Sequence, residues 1–224
     1  MSKAISFVKL DFITVKPYMT LKNLAILVIA MAVMASTDGG TASTAGFIMV
    51  LGALYVSYPF AVAEKNDLDA LYCTLSLSRK QVVRGRYLFA LAIDLLFALL
   101  AVILSAAVSL VMGVETDILQ LLIAVLVMLL IYGLVQAIQL PIFFKMGYTK
   151  AKFFSYLPFV GWPAAVMLFA AVADKGDITA WLYSILRWIE ANPAITVLLA
   201  LALWAAAVFV SFGLSLKFYR NRDF

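Results

Sequence analysis

The chain contains no histidine, and only one of its 224 residues, Cys73, is a cysteine. The missing histidine excludes His-ligated metal sites, Ser-His-Asp triads and His proton relays. A single cysteine excludes an intramolecular disulfide. Charge is also scarce. Charged residues make up 13% of the chain, against about 25% in an average soluble domain. There is no G-x-x-x-x-G-K-[ST] loop to cradle nucleotide phosphates, no H-E-x-x-H zinc pair and no G-x-S-x-G nucleophile elbow. A soluble enzyme, a nucleic-acid-binding domain and a disordered chain are all excluded, because too few polar residues remain to make a hydrated surface.

What the chain has instead is apolar residues, 66% of the total, with a mean hydropathy of +1.06. It reads as an all-α integral membrane protein forming one transmembrane domain over residues 1–224. About 20 apolar residues cross the hydrocarbon layer as a helix. Six stretches qualify or come close: 21–36, 44–63, 87–113, 118–144, 153–173 and 194–216. They are too long and too uniform for the alternating strands of a β-barrel. The first carries Lys22 and Asn23 at its start and turns apolar only after them, so no signal peptide is expected.

Lysine and arginine placement orients the spans. Lys3, Lys9, Lys16 and Lys22 precede the first span. Lys65, Arg79, Lys80, Arg84 and Arg86 lie between the second and third. Lys145, Lys150 and Lys152 fall between the fourth and fifth, and Lys217, Arg220 and Arg222 follow the sixth. These segments alternate onto one side and leave only Lys175 and Arg187 on the other. Both termini are therefore expected in the cytoplasm of a multi-pass plasma-membrane protein. Residues 1–20 are expected to form an interfacial helix ending at Pro17, with Ile5, Val8, Phe12 and Val15 as its stripe. Residues 178–190 are expected to form an outer amphipathic helix carrying Trp181 and Trp188 at headgroup level.

The segment 64–86 is the most informative. Leu68, Leu71, Tyr72 and Leu75 recur at helical spacing, while Glu64, Lys65, Asp67 and Asp69 lie off that stripe. Ser78-Arg79-Lys80-Gln81 reads as a capping box that starts a helix running straight into the third span. The expectation is a cytoplasmic hairpin whose apolar stripe needs a cover; the plainer alternative is a solvated basic loop.

Asp94 is the one ionisable residue inside a span. It lies seven residues beyond Tyr87, and Gln136 lies eight before Phe144 on a helix running the other way, so the two sit at similar depth. One reading makes Asp94 a proton or substrate site. The other makes it structural, hydrogen-bonded to Gln136 or Gln139 and packed through Ala98, Ala101 and Ser105. Pro141 is expected to bend the fourth span, and Pro158 and Pro163 the fifth.

Residues 64–87, EKNDLDALYCTLSLSRKQVVRGRY, resemble the cytoplasmic signature of permease subunits of type-2 ABC exporters, similar to those that export phenol-soluble modulins and antimicrobial peptides. Glu64, Lys65, Asn66, Leu75, Ser78, Arg79, Lys80, Val83, Arg86 and Tyr87 match in register. Ser76 and Leu77 replace the family's Leu-Pro, and Ala63 stands where an acid often precedes the glutamate. The resemblance implies a second permease subunit as dimer partner and an ABC ATPase subunit, with ATP and magnesium bound in that partner and no cofactor in this chain. It makes Glu64 to Leu75 the coupling helix, with Glu64, Asp67, Leu68, Leu71, Tyr72, Leu75, Ser78, Arg79 and Lys80 as the coupling residues. It implies a transporter subunit and not an enzyme. Hydrophobic or amphipathic peptides are the expected cargo, moving past Tyr55, Tyr58, Phe159, Trp162 and Phe169. A different class stays open: a non-transporting membrane scaffold or immunity protein whose hairpin binds a regulator. An ATPase subunit that co-purifies with the chain discriminates the two.

Overall fold

The computed structural model describes residues 3–18, 20, 29, 40–74, 77–113, 117–154, 184, 187–189 and 191–222. Spans 21–36 and 153–173 and the outer helix 178–190 lie mostly or wholly outside the described residues, as do Leu75, Phe159, Trp162 and Phe169.

Among the described residues the secondary structure is helical throughout. The helices are α1 (Lys3–Val15), α2 (Gly40–Tyr55), α3 (Tyr58–Lys65), α4 (Leu68–Thr74), α5 (Arg79–Met112), α6 (Ile118–Met146) and α7 (Pro193–Arg220). Four stretches are long and apolar enough to cross a membrane: Thr44–Lys65, Arg79–Val111, Ile118–Met146 and Pro193–Arg220. They coincide with the second, third, fourth and sixth spans read from the sequence.

The helix ends follow local chemistry. Both arms of the capping box at the start of α5 are made: the Gln81 N–H donates to Ser78 Oγ at 3.3 Å, and the Ser78 N–H to Gln81 Oε1 at 2.9 Å. Such a cap is worth about 1 kcal/mol. Thirty-four residues later α5 stops at Gly113, which takes the left-handed conformation that favours glycine there. Asp117 caps α6 by accepting from Leu119 and Gln120 N–H. That helix runs unbroken through Pro141 to Met146.

The second span is less continuous than the sequence implies. It is divided at Val56–Ser57, between α2 and α3. Pro59, at the start of α3, has no N–H to give and interrupts the ladder. At the break the Leu54 carbonyl accepts both the Ser57 N–H, at 3.0 Å, and the Ser57 hydroxyl, at 2.7 Å.

Helix α5 is central and packs on α1, α2, α6 and α7. Phe89, Ile93, Phe97 and Ala101 form its buried face, whereas Leu91, Leu95, Leu99 and Ile103 are exposed. A face of exposed leucines would be a liability in water and is what a lipid-facing helix presents. Two glycines permit close crossings. A Cβ on Gly52 would lie 2.8 Å from Phe97 Cβ, and one on Gly85 would lie 2.5 Å from the Phe7 ring. The first seats α2 on α5; the second seats α1 on α5.

Helix α1 forms as expected, followed by a 3-10 turn over Lys16–Tyr18 that contains Pro17. Its buried face, however, is Phe7, Asp11 and Val15, with Ile5 exposed and Val8 and Phe12 half-buried. The stripe read from Ile5 is therefore displaced. The reason is Asp11, an acid that a purely apolar count passes over and that a basic partner on α5 draws inward.

Candidate functional site

The residues of the 64–86 segment converge at one end of the bundle. Helix α3 ends at Asn66, whose amide side chain donates to the Val62 carbonyl at 2.9 Å. Asp67 follows with a φ of 49°, in the left-handed region that Asp tolerates better than most residues. This turn separates α3 from α4, so the helix expected over Glu64 to Leu75 is broken at Asn66–Asp67, with Glu64 at the end of α3. Lys65, Asn66 and Asp67 are all exposed there.

Arg86 is the hub. It is buried, and its guanidinium donates to Asp11 Oδ1 at 2.8 Å. It also lies 4.7 Å from the centre of the Phe60 ring and 5.4 Å from that of Phe7, within the range of cation–π attraction. Tyr72 hydrogen-bonds to the same arginine and meets Phe7 edge-on, with ring centres 5.0 Å apart. Burial pushes the Tyr72 hydroxyl up to about 12, against smaller opposing help from Arg86. One side chain on α5 thus ties together α1, α3 and α4. Asp11 itself is fully buried, and among the described residues its Oδ2 has no hydrogen-bond partner. Desolvation raises its carboxyl to about 6, with Arg86 pulling the other way.

A second set of contacts binds the hairpin to the end of α7. Tyr219 donates its hydroxyl to Asp69 at 3.1 Å, and Arg222 stands 3.6 Å from the other Asp69 oxygen. Arg79 donates to the carbonyls of Tyr219 and Arg220, which places a cation on the negative end of that helix. Further along, Tyr87 shares hydrogen bonds with Ser211 at 2.5 Å and Ser215 at 2.8 Å.

Glu64 reaches a third place. Its Oε2 accepts the Thr149 N–H at 2.9 Å, where residues 148–154 are helical. Gly147, just before, has a φ of 77°, and a Cβ there would lie 2.9 Å from Glu64 Oε2. The carboxylate therefore sits on the free amides of a helix start.

The expected stripe is consequently divided. Tyr72 faces inward, Leu68 is half-buried and Leu71 is 48% exposed. The cover for Tyr72 is Phe7 of the chain's own α1, leaving Leu71 as the outward member. Ser78 and Lys80 are exposed; Arg79 is half-buried against α7. The sequence reading missed Asp11, Tyr219 and Arg222. Asp11 was nonetheless visible as the one acid among the first 37 residues.

Within the helices, Gln136 Nε2 donates to Asp94 Oδ1 at 2.7 Å, both side chains being buried. This is the pairing expected from equal depth. Gln139 is buried as well. A cavity of about 460 Å³ opens beside the pair, between α5, α6 and α7. Tyr55 and Tyr58 do not line it; they pack edge-on to each other, with Tyr55 also against Phe97. Asp94→Asn keeps an acceptor for Gln136 and is expected to hold its thermal stability. Asp94→Leu leaves the Gln136 amide unsatisfied and is expected to lose about 1–3 kcal/mol. Thermal unfolding of the purified variants in one detergent checks both.

Among the described residues, no cluster of His, Cys, Asp and Glu could hold a metal ion. The site is built of salt bridges, caps and aromatic contacts that join a short exposed hairpin to long apolar helices. An all-helical membrane protein with a helix-linked hairpin at one end is the class so defined. Residues 6–220 match the family model described as ABC-2 family transporter protein, and the chain belongs to that family. It is thus a membrane component of an ABC transporter. No curated protein and no solved structure matches it.

Proposed function

We propose that this chain is the permease subunit of an ATP-driven exporter, with ATP hydrolysed by a separate ABC ATPase docked on residues 64–86. The chain crosses the membrane six times, with both termini and the hairpin in the cytoplasm and residues 178–190 at the outer face. Two permease subunits pair, and the cargo is a hydrophobic or amphipathic peptide or a similar compound.

The observation that carries this reading is the wiring of the hairpin. Arg86, Asp69 and Glu64 fasten it to α1, α7 and the start of the 148–154 helix. Leu71 and the Lys65–Asp67 turn stay exposed. A force applied to α4 by a partner is carried into α5 through Arg86, which is buried, and into α7 through the part-buried Asp69–Tyr219 bond. The buried salt bridge and the aromatic packing resist shear better than a solvated loop does. A basic rim with one outward apolar residue suits an acidic-and-apolar cleft on a partner. Apolar walls bind by buried area, at about 25 cal/mol per Å². Among the described residues few convergent polar groups are available to select a small hydrophilic solute.

The decisive measurement is ATPase activity of the reconstituted complex. Amphipathic peptides are expected to raise the rate, while sugars and amino acids leave it at the basal level. Failure of any ATPase subunit to co-purify with the chain would point to the non-transporting scaffold instead.

A further inference from the structure

The cavity beside Asp94 is a cleft with an acid in a largely apolar lining. Leu91, Trp204, Val208 and Phe209 line it with Asp94 and Gln136. Asp94 is 6% exposed, so the carboxylate is held in a setting of low dielectric. Gln136 occupies one of about four acceptor positions on that carboxylate. The one basic residue lining the cleft is Arg84, ten residues earlier on α5. Ten residues of helix are about 15 Å, so Arg84 stands at the mouth and does not neutralise Asp94.

An ionised acid beside an apolar cleft is costly inside a membrane, and a cation that meets it lowers that cost. The volume falls within the range of about 300–1,000 Å³ typical of small-molecule sites. It is too small for a folded peptide and suits one amphiphile or one ammonium-bearing segment of a longer chain.

We infer that the cleft between α5, α6 and α7 is a binding site for a cationic amphiphile, with a primary ammonium group on Asp94 and an apolar body along Leu91, Val208 and Phe209. The ammonium donates to the carboxylate, and the Trp204 and Phe209 rings offer faces that favour a cation. Gln136 holds the carboxylate in place from the α6 side. As a description of cargo this rests on the exporter reading; as a description of binding it does not.

The test uses the full chain in phosphatidylcholine nanodiscs, whose headgroups carry no N–H donor. The probe is bromododecylamine, with bromododecanol as its uncharged match. The readout is quenching of the tryptophan emission component that Trp204→Phe removes. The amine is expected to bind roughly tenfold tighter than the alcohol, or more, as a hydrogen bond to a charged group requires. Asp94→Asn is expected to abolish that preference while leaving alcohol binding unchanged. Ala205→Phe, which fills the cleft without touching the acid, is expected to weaken both probes. Equal binding of amine and alcohol by the unaltered chain overturns the site, and so does an amine preference that survives Asp94→Asn. ATPase assays on the complex separate the two readings. Asp94-dependent amine binding with no ATPase response leaves the site standing and removes cargo as its meaning. Peptide-stimulated ATPase without any amine preference removes the site and leaves export standing.

Discussion

Replacing Arg86 by leucine is expected to cost about 3–5 kcal/mol of stability, the usual effect of stranding one member of a buried ion pair. Arg86 is buried, and its partner Asp11 is wholly so. The substitution leaves a carboxylate with no cation and removes the centre that Phe7, Phe60 and Tyr72 surround. For a chain of this length the loss amounts to a fall in Tm of about 10 °C. Asp11→Leu is expected to act in the same direction. The double variant Asp11→Leu/Arg86→Leu is expected to be more stable than either single one, because neither charge is then buried alone. A double variant as unstable as the sum of the two singles would show that the pair is not coupled.

The same acid sets a pH dependence. The folded-state carboxyl of Asp11 is raised from 3.8 to about 6 by burial. Between those values the folded chain holds a proton that the unfolded chain has released. Asp11 therefore contributes stability below about pH 4 that is lost as pH rises through about 6. Thermal unfolding across that window is expected to show the decline, and Asp11→Asn is expected to flatten it.

Leu71→Asp is expected to leave the fold intact and to break the complex. Leu71 is 48% exposed, so its replacement should change the stability of the isolated chain by less than about 0.5 kcal/mol. On the proposed docking surface the same aspartate is buried without a partner, at several kcal/mol. A loss of 3 kcal/mol corresponds to an affinity roughly 100-fold weaker, measurable by pull-down of the ATPase subunit and by loss of peptide-stimulated hydrolysis. The neighbouring Tyr72→Asp is expected to behave differently, unfolding the hairpin itself, since Tyr72 packs on Phe7 and bonds Arg86. Full complex stability and transport in Leu71→Asp would exclude α4 as the docking element.

Composition and periodicity determined the class of this protein on their own. A chain two-thirds apolar with six long uncharged or nearly uncharged runs has no folded solution in water, and the apolar runs at 44–63, 87–113, 118–144 and 194–216 all fall on helical stretches, the second of them starting earlier, at Arg79. The start of α5 was equally legible, because a Ser-x-x-Gln cap is a local interaction between residues three apart. So was Asp94 with Gln136, since two antiparallel helices of known length fix which residues share a depth.

Tertiary structure alone decided the rest. Charge and hydropathy alone do not distinguish Arg86 from Arg84, two residues away. Yet one is buried on Asp11 and the other lies exposed at the mouth of a cleft. Their directions differ by about 200° around the helix, and only the position of α1, seated on Gly85, gives that difference a meaning. The stripe of α4 was divided for the same reason. Periodicity shows that Leu71 and Tyr72 are near neighbours on one helix. Which of them is covered depends on a ring from residue 7, sixty-five positions earlier, and no local pattern records a partner so distant.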